Sequence, residues 1–282
     1  MERIVADALE TLPEASPVIH CRVLRLGMVD YLDAWRLQRQ LAEIRAAEGG
    51  DDVLLLLEHP PIYTLGVTTD KTNLLVSREE LESRGVKVIE VDRGGDITYH
   101  GPGQLVGYPV MDISKRRGGP LRYLRDLEEV LIRALGAMGV AAERLRPFTG
   151  VWVGGEKIAA IGVKVNARKI TSHGFALNVC PDLKAFDRII PCGIEGKAVT
   201  SLDKVLGRKV PMEEVMDAIV SAFGEVFERV MRNAAASQEA HEDGTPSKGA
   251  AETSLVAGTA FQRPGVGTSA PYDAASGAGN GL

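Results

Sequence analysis

Apolar and polar positions recur with two different periods along the chain, and the switches between them mark its elements. Residues 18–26 alternate every second position, as a half-buried strand does. Over residues 29–48 the apolar side chains fall at helical spacing among Arg, Gln and Ala, and Gly49-Gly50 supplies a stop, so a helix is expected. Residues 53–57, Val-Leu-Leu-Leu-Leu, form a continuous apolar run between charge and proline, the pattern of a buried strand. Pro60-Pro61 makes the stretch from His59 to Gly66 a loop. Ser77-Arg78-Glu79-Glu80 is a capping box for a short helix. Strands are expected at 86–91 and 105–111, and a second long helix at 121–138. Gly154-Gly155 then joins strands at 151–153 and 157–165 as a hairpin. A strand at 174–179 and helices near 199–206 and 212–231 complete the pattern. Strands and helices in mixed order, with a hairpin, predict an α+β fold rather than a doubly wound sheet.

Composition narrows the function classes. The 282 residues are 45% hydrophobic with a net charge of -5, an ordinary globular balance. Mild acidity argues against a nucleic-acid binder, which needs a surplus of Lys and Arg against phosphates. Arg116, Arg117, Arg122 and Arg125 cluster and read as a solvated basic face or as a patch for an acidic partner. No apolar run approaches the roughly 20 residues of a membrane span, and the N-terminus has no secretory pattern. The three cysteines are far apart, which predicts no disulfide framework and a cytoplasmic location. No Cys-x-x-Cys or His-x-x-x-His spacing suggests a metal site. With no heptads or large apolar face, a monomer is expected. From residue 233 onward Ala, Gly, Ser and Thr dominate, predicting a folded domain over 1–232 and a disordered tail over 233–282.

Two segments carry candidate chemistry. Arg93-Gly94-Gly95-Asp96-Ile97-Thr98-Tyr99-His100 is dense in glycine beside polar side chains, as suits backbone that closely approaches a ligand. Cys192 stands between Pro191 and Gly193 and reads as a presented thiol, or else as a small buried residue. Cys21 and Cys180 sit in strand-like segments without such flanks. To react, a thiol needs help to ionise, and Lys157, Lys164, His100 and His173 are the candidates. Alternation along 157–165 puts Lys157 with Ala159, Ile161 and Val163 if no bulge intervenes, and Lys164 on the other face. An ammonium about 4 Å from sulfur contributes roughly 4 kcal/mol at an effective dielectric of 20, enough to favour thiolate at neutral pH.

Together these segments closely resemble the lipoyl(octanoyl) transferases, octanoyl-[acyl carrier protein]:protein N-octanoyltransferases of lipoate biosynthesis. The resemblance rests on residues 93–104 and on Glu58-His59-Pro60-Pro61-Ile62-Tyr63-Thr64-Leu65-Gly66. It extends to Lys157-Ile158-Ala159-Ala160-Ile161-Gly162, His173-Gly174-Phe175-Ala176-Leu177-Asn178 and Pro191-Cys192-Gly193, and spans about residues 20–230. It implies a mixed sheet flanked by helices, shared with lipoate- and biotin-protein ligases. Cys192 would carry an acyl thioester and Lys157 would lower its pKa. Arg93 to His100, Ala160-Ile161-Gly162 and Gly174-Phe175-Ala176 would hold substrate. The implied partners are octanoyl-[acyl carrier protein] and lipoyl domains, those of 2-oxoacid dehydrogenases and the glycine cleavage H protein, with no cofactor. The alternatives are an ATP-dependent lipoate-protein ligase, a cysteine acyl-hydrolase with His100 or His173 as base, and a non-catalytic acyl-binding module.

Overall fold

Leu54, Leu55, Leu56 and Leu57 are all fully buried, because the strand that carries them is covered on both faces. The computed structural model describes residues 19–191 and 196–233, so Cys192 and the expected tail beyond Asn233, which itself ends the last strand, lie outside the described residues. In chain order the elements begin with β1 (His20–Met28), α1 (Tyr31–Glu48), β2 (Asp52–Glu58) and β3 (Ile62–Leu65). Next come α2 (Arg78–Ser83), β4 (Lys87–Glu90), β5 (Thr98–His100), β6 (Gln104–Val110) and α3 (Gly119–Ala137). The last group is β7 (Val151–Val153), β8 (Glu156–Val165), β9 (Thr171–Asn178), α4 (Leu202–Leu206), α5 (Met212–Phe227) and β10 (Val230–Asn233).

The main sheet has the order β10-β1-β2-β6-β9-β8-β7. Its first three strands are parallel and the remaining pairs antiparallel, so the sheet is mixed. Side chains of β2 alternate between two cores. Leu54 and Leu56 meet Leu127, Leu131, Phe223 and other residues of the core that includes α3 and α5. Val53, Leu55 and Leu57 meet Ala34 of α1 with Val106 and Tyr108 of β6. The α+β expectation therefore holds. Among the described residues no helix is long and apolar enough to cross a membrane.

Several expectations need correction. The segment after Pro60-Pro61 is not all loop: β3 is fully buried and pairs with β4 and β5 in a separate three-stranded sheet. The prolines precede the strand and cost it no ladder bond. The helix expected to Met231 stops at Phe227, where Glu228 turns left-handed at φ 56 and the chain enters β10 beside β1. Helical periodicity in the sequence persists past that point, but pairing with an open strand edge decides the conformation. Three of the four clustered arginines carry ion pairs. Arg116 and Arg122 pair with Asp126, and Arg125 pairs with Glu128.

A buried carboxylate fastens the sheet edge. Asp52, with no exposed side-chain surface, takes Arg45 Nε at 3.1 Å and Arg229 Nε at 2.8 Å, and accepts the Asp112 N–H at 3.2 Å. Removing one guanidinium leaves the burial cost of the carboxylate only partly compensated. Arg229→Ala is therefore expected to destabilise the protein by on the order of 3 kcal/mol in urea unfolding. A loss below about 1 kcal/mol, the level of a surface pair, would contradict this role.

Candidate active site

Small side chains in register on β8 and β9 leave room beside the main sheet. Ala160 lies opposite Ala176 and Gly162 opposite Gly174. Above them is a cavity of about 460 Å³, within the range of small-molecule sites. All six residues expected from these strands line it: Ala160, Ile161, Gly162, Gly174, Phe175 and Ala176. Tyr31, Tyr108, Phe148 and Thr149 add to the wall.

The loop from Arg93 to His100 closes the other side, but its residues divide in function. Arg93, Gly95, Asp96, Thr98 and His100 line the cavity. Ile97 and Tyr99 turn away into the core of the small sheet with Tyr63 and Phe186. Gly94 fastens the loop, its N–H donating to Val163 O at 2.9 Å. Arg93 is buried, and its Nη2 donates to Thr64 O at 2.7 Å and Thr64 Oγ1 at 2.9 Å. This approach requires glycine at 162, where a Cβ would stand 2.8 Å from Gly94 O and 3.0 Å from Arg93 Cδ. The Asp96 carboxylate accepts from the Asn73 amide at 2.5 Å and from the Ile97 N–H at 2.6 Å, holding the turn.

Lys157 reaches the site through an irregularity in β8. It stands opposite Trp152 while Ala159 stands opposite Val151, so Ile158 is an extra residue in that pairing. The bulge reverses the expected grouping: Ile158 and Ala159 enter the core, and Lys157 shares a small cavity with Ala160 and Ala176. Lys157 is 5% exposed, and its Nζ lies 5.1 Å from the Trp152 ring centroid. Its backbone bonds a second segment, donating to Ala198 O and accepting from Thr200 N–H, each at 2.9 Å. Thr98 and Pro191 line the same small cavity, and Thr98, Ala160 and Ala176 are common to both cavities. Lys164 is elsewhere, paired with Asp92 at 2.5 Å. The bulge thus places Lys157 and Lys164 on the same side of β8, contrary to simple alternation, and distance along the strand rather than facing gives them different surroundings.

A buried polar chain runs beside the cavity. His100 Nδ1 donates to Gln104 Oε1 at 2.7 Å, since the Gln104 amide nitrogen is engaged in donating to Asn178 Oδ1 at 2.9 Å. Asn178 Nδ2 donates to Thr200 O at 3.0 Å, next to the backbone of Lys157. His100 Nε2 is then left to accept from the Thr64 hydroxyl at 3.4 Å. Burial lowers His100 well below the usual histidine range and brings His59 down to about 4. His173 is also lowered by burial, although Nε2 lies 2.7 Å from Asp92 Oδ1. The imidazoles are therefore neutral near pH 7. Both described thiols are raised: Cys21 to about 12 by burial and then by Asp52, and Cys180 by burial and then by Asp203. Neither is poised to react. Among the described residues no cluster of three or more His, Cys, Asp or Glu could hold a metal.

Residue-level reasoning from the sequence did not single out Tyr31, Tyr108, Gln104 or Asn178. For the last two a signal was present: each is a polar residue beside apolar strand positions, where burial demands a partner.

Known proteins resemble this chain in sequence and in fold. Residues 30–224 match the family model of the lipoyl protein ligase A/B catalytic domain. An octanoyltransferase of Rubrobacter xylanophilus is 54% identical over 202 residues, covering 71% of this chain and 90% of that protein. One of Chloroflexus aggregans is 48% identical, covering 73% and 94%. Among solved structures, lipoate-protein ligase A bound with ATP superposes with TM-score 0.60 at 17% identity, covering 78% of this chain and 90% of that one. The bi-partite lipoate protein ligase of Thermoplasma acidophilum, studied with its E2 lipoyl domain, gives 0.54 at 18%, covering 78% and 88%. At these identities the structural likeness is one of fold, whereas the sequence relatives fix the family. The chain belongs to the octanoyltransferase family of lipoyl protein ligase A/B catalytic domains.

Proposed function

We propose that the protein moves an octanoyl group from octanoyl-[acyl carrier protein] to the lysine of a lipoyl domain, through a thioester on Cys192 and without a nucleotide. One observation carries the reading: Lys157 lines a small cavity together with Pro191, the residue directly before Cys192, and that cavity meets the larger one at Ala160 and Ala176. The larger cavity suits the acyl tail. At about 0.8 kcal/mol per buried methylene, an octanoyl chain gains roughly 5 kcal/mol there.

In the first transfer the Cys192 thiolate attacks the donor thioester carbonyl, and the carrier's thiol departs as the carbon–sulfur bond breaks. In the second, the acceptor ε-amine attacks the enzyme thioester, an amide forms and the Cys192 thiolate is released. Lys157 favours that thiolate by charge and relays the proton between amine and sulfur. A hydrolase would need a free base for water. His100 has both ring nitrogens engaged, by Gln104 and Thr64, which argues against it as that base. We further propose that the catalytic unit ends with β10, the acceptors being lipoyl domains of 2-oxoacid dehydrogenases and the glycine cleavage H protein.

Octanoyl transfer from the carrier protein to a purified lipoyl domain is expected to be lost in Cys192→Ser; transfer persisting at the original rate would sink the covalent route. Lys157→Ala should move iodoacetamide labelling of Cys192 to higher pH, because removal of the cation raises the thiol pKa. An unmoved profile would rule out the ion-pair role. A chain ended after Asn233 keeps the β10–β1 pairing, which includes Asn233 opposite Val23. It is expected to transfer at an unchanged rate, and a large drop would refute the proposed boundary.

A further inference from the structure

A buried charge cluster behind the main sheet reaches the stem of Lys157. Glu128, on α3, has no exposed side-chain surface. Its Oε1 accepts from Arg125 Nη1 at 2.8 Å and its Oε2 from Arg144 Nε at 2.9 Å. Oε1 also accepts the backbone N–H of Gly150 at 3.2 Å. A wholly buried carboxylate is costly for stability alone, and an apolar residue of similar volume often serves as well. What this carboxylate holds is therefore informative.

Gly150 is buried at φ 122, in the region that favours glycine. A Cβ at this position would lie 2.6 Å from Ala159 O, 2.9 Å from Lys157 Cε and 3.6 Å from its Nζ. The backbone of Gly150 thus forms a wall against the end of the lysine, and the Trp152 ring stands 5.1 Å from Nζ. Phe148 and Thr149, just before Gly150, line the acyl cavity. One carboxylate consequently fixes the loop that contacts both the tail-binding space and the lysine.

We propose that Glu128 is a positioning residue for Lys157, acting through Gly150; this rests on the reading that Lys157 acts on the Cys192 thiol. Loss of the Glu128–Gly150 bond lets the wall retreat, and the ammonium is no longer held in one place. Glu128→Gln replaces one acceptor oxygen by an amide that confronts the guanidinium groups. Gly150→Ala keeps the carboxylate and both guanidinium groups and pushes a methyl against the lysine stem and the Ala159 carbonyl.

The test measures iodoacetamide labelling of Cys192 against pH, with kcat and KM for octanoyl transfer, in Glu128→Gln, Gly150→Ala and Lys157→Ala. Both new variants are expected to move labelling to higher pH, as Lys157→Ala does, and to lower kcat about tenfold or more. If Glu128→Gln does not fold, Gly150→Ala carries the same expectation. A moved profile in Lys157→Ala beside unmoved profiles in the folded variants overturns the positioning role alone. An unmoved profile in Lys157→Ala itself overturns both the role of Lys157 and this inference.

Discussion

One extra residue, Ile158, determines where the ammonium of Lys157 goes. Without the bulge, strict alternation would turn Lys157 toward the core side with Ile161 and Val163, where a charge has no place. The bulge exists because Lys157 bonds Ala198 and Thr200 through its backbone while its side chain crosses to the cavity side. Those partners lie just after residues 192–195 in sequence. The same backbone contact therefore ties the lysine to the chain leaving Cys192.

A second constraint joins the two sheets. The Arg93 guanidinium reaches Thr64 in the small sheet, and the neighbouring Gly94 N–H reaches Val163 in the main one. Buried charge of this kind is tolerated when its donors are engaged, and Thr64 supplies both a carbonyl and a hydroxyl. The larger cavity lies between the sheets, so its walls are only as fixed as this junction. Small residues on β8 and β9 then leave the space open.

Much of this was legible in the sequence where local pattern and tertiary context agree. The apolar run of β2, the Gly154-Gly155 hairpin and the Ser77 cap all formed as expected. In the Arg93–His100 segment, motif resemblance marked the whole stretch as substrate-binding. Alternation within it nevertheless sends Ile97 and Tyr99 into the small-sheet core. What could not be read depends on distant partners. The facing of Lys157 follows from residues some forty positions onward, and β10 follows from the open edge of β1. Glu128 was not singled out, because an i,i+3 spacing from Arg125 fits an exposed helix pair as well as a buried one. Only packing against Arg144 and Gly150 reveals it as buried.

Intact mass spectrometry of the full chain mixed with octanoyl-[acyl carrier protein], without ATP or acceptor, addresses the covalent step itself. The expected result is a single hydroxylamine-labile octanoyl adduct, absent in Cys192→Ser and discharged when a lipoyl domain is added. A protein that stays unmodified while the donor thioester persists would contradict acyl transfer through Cys192.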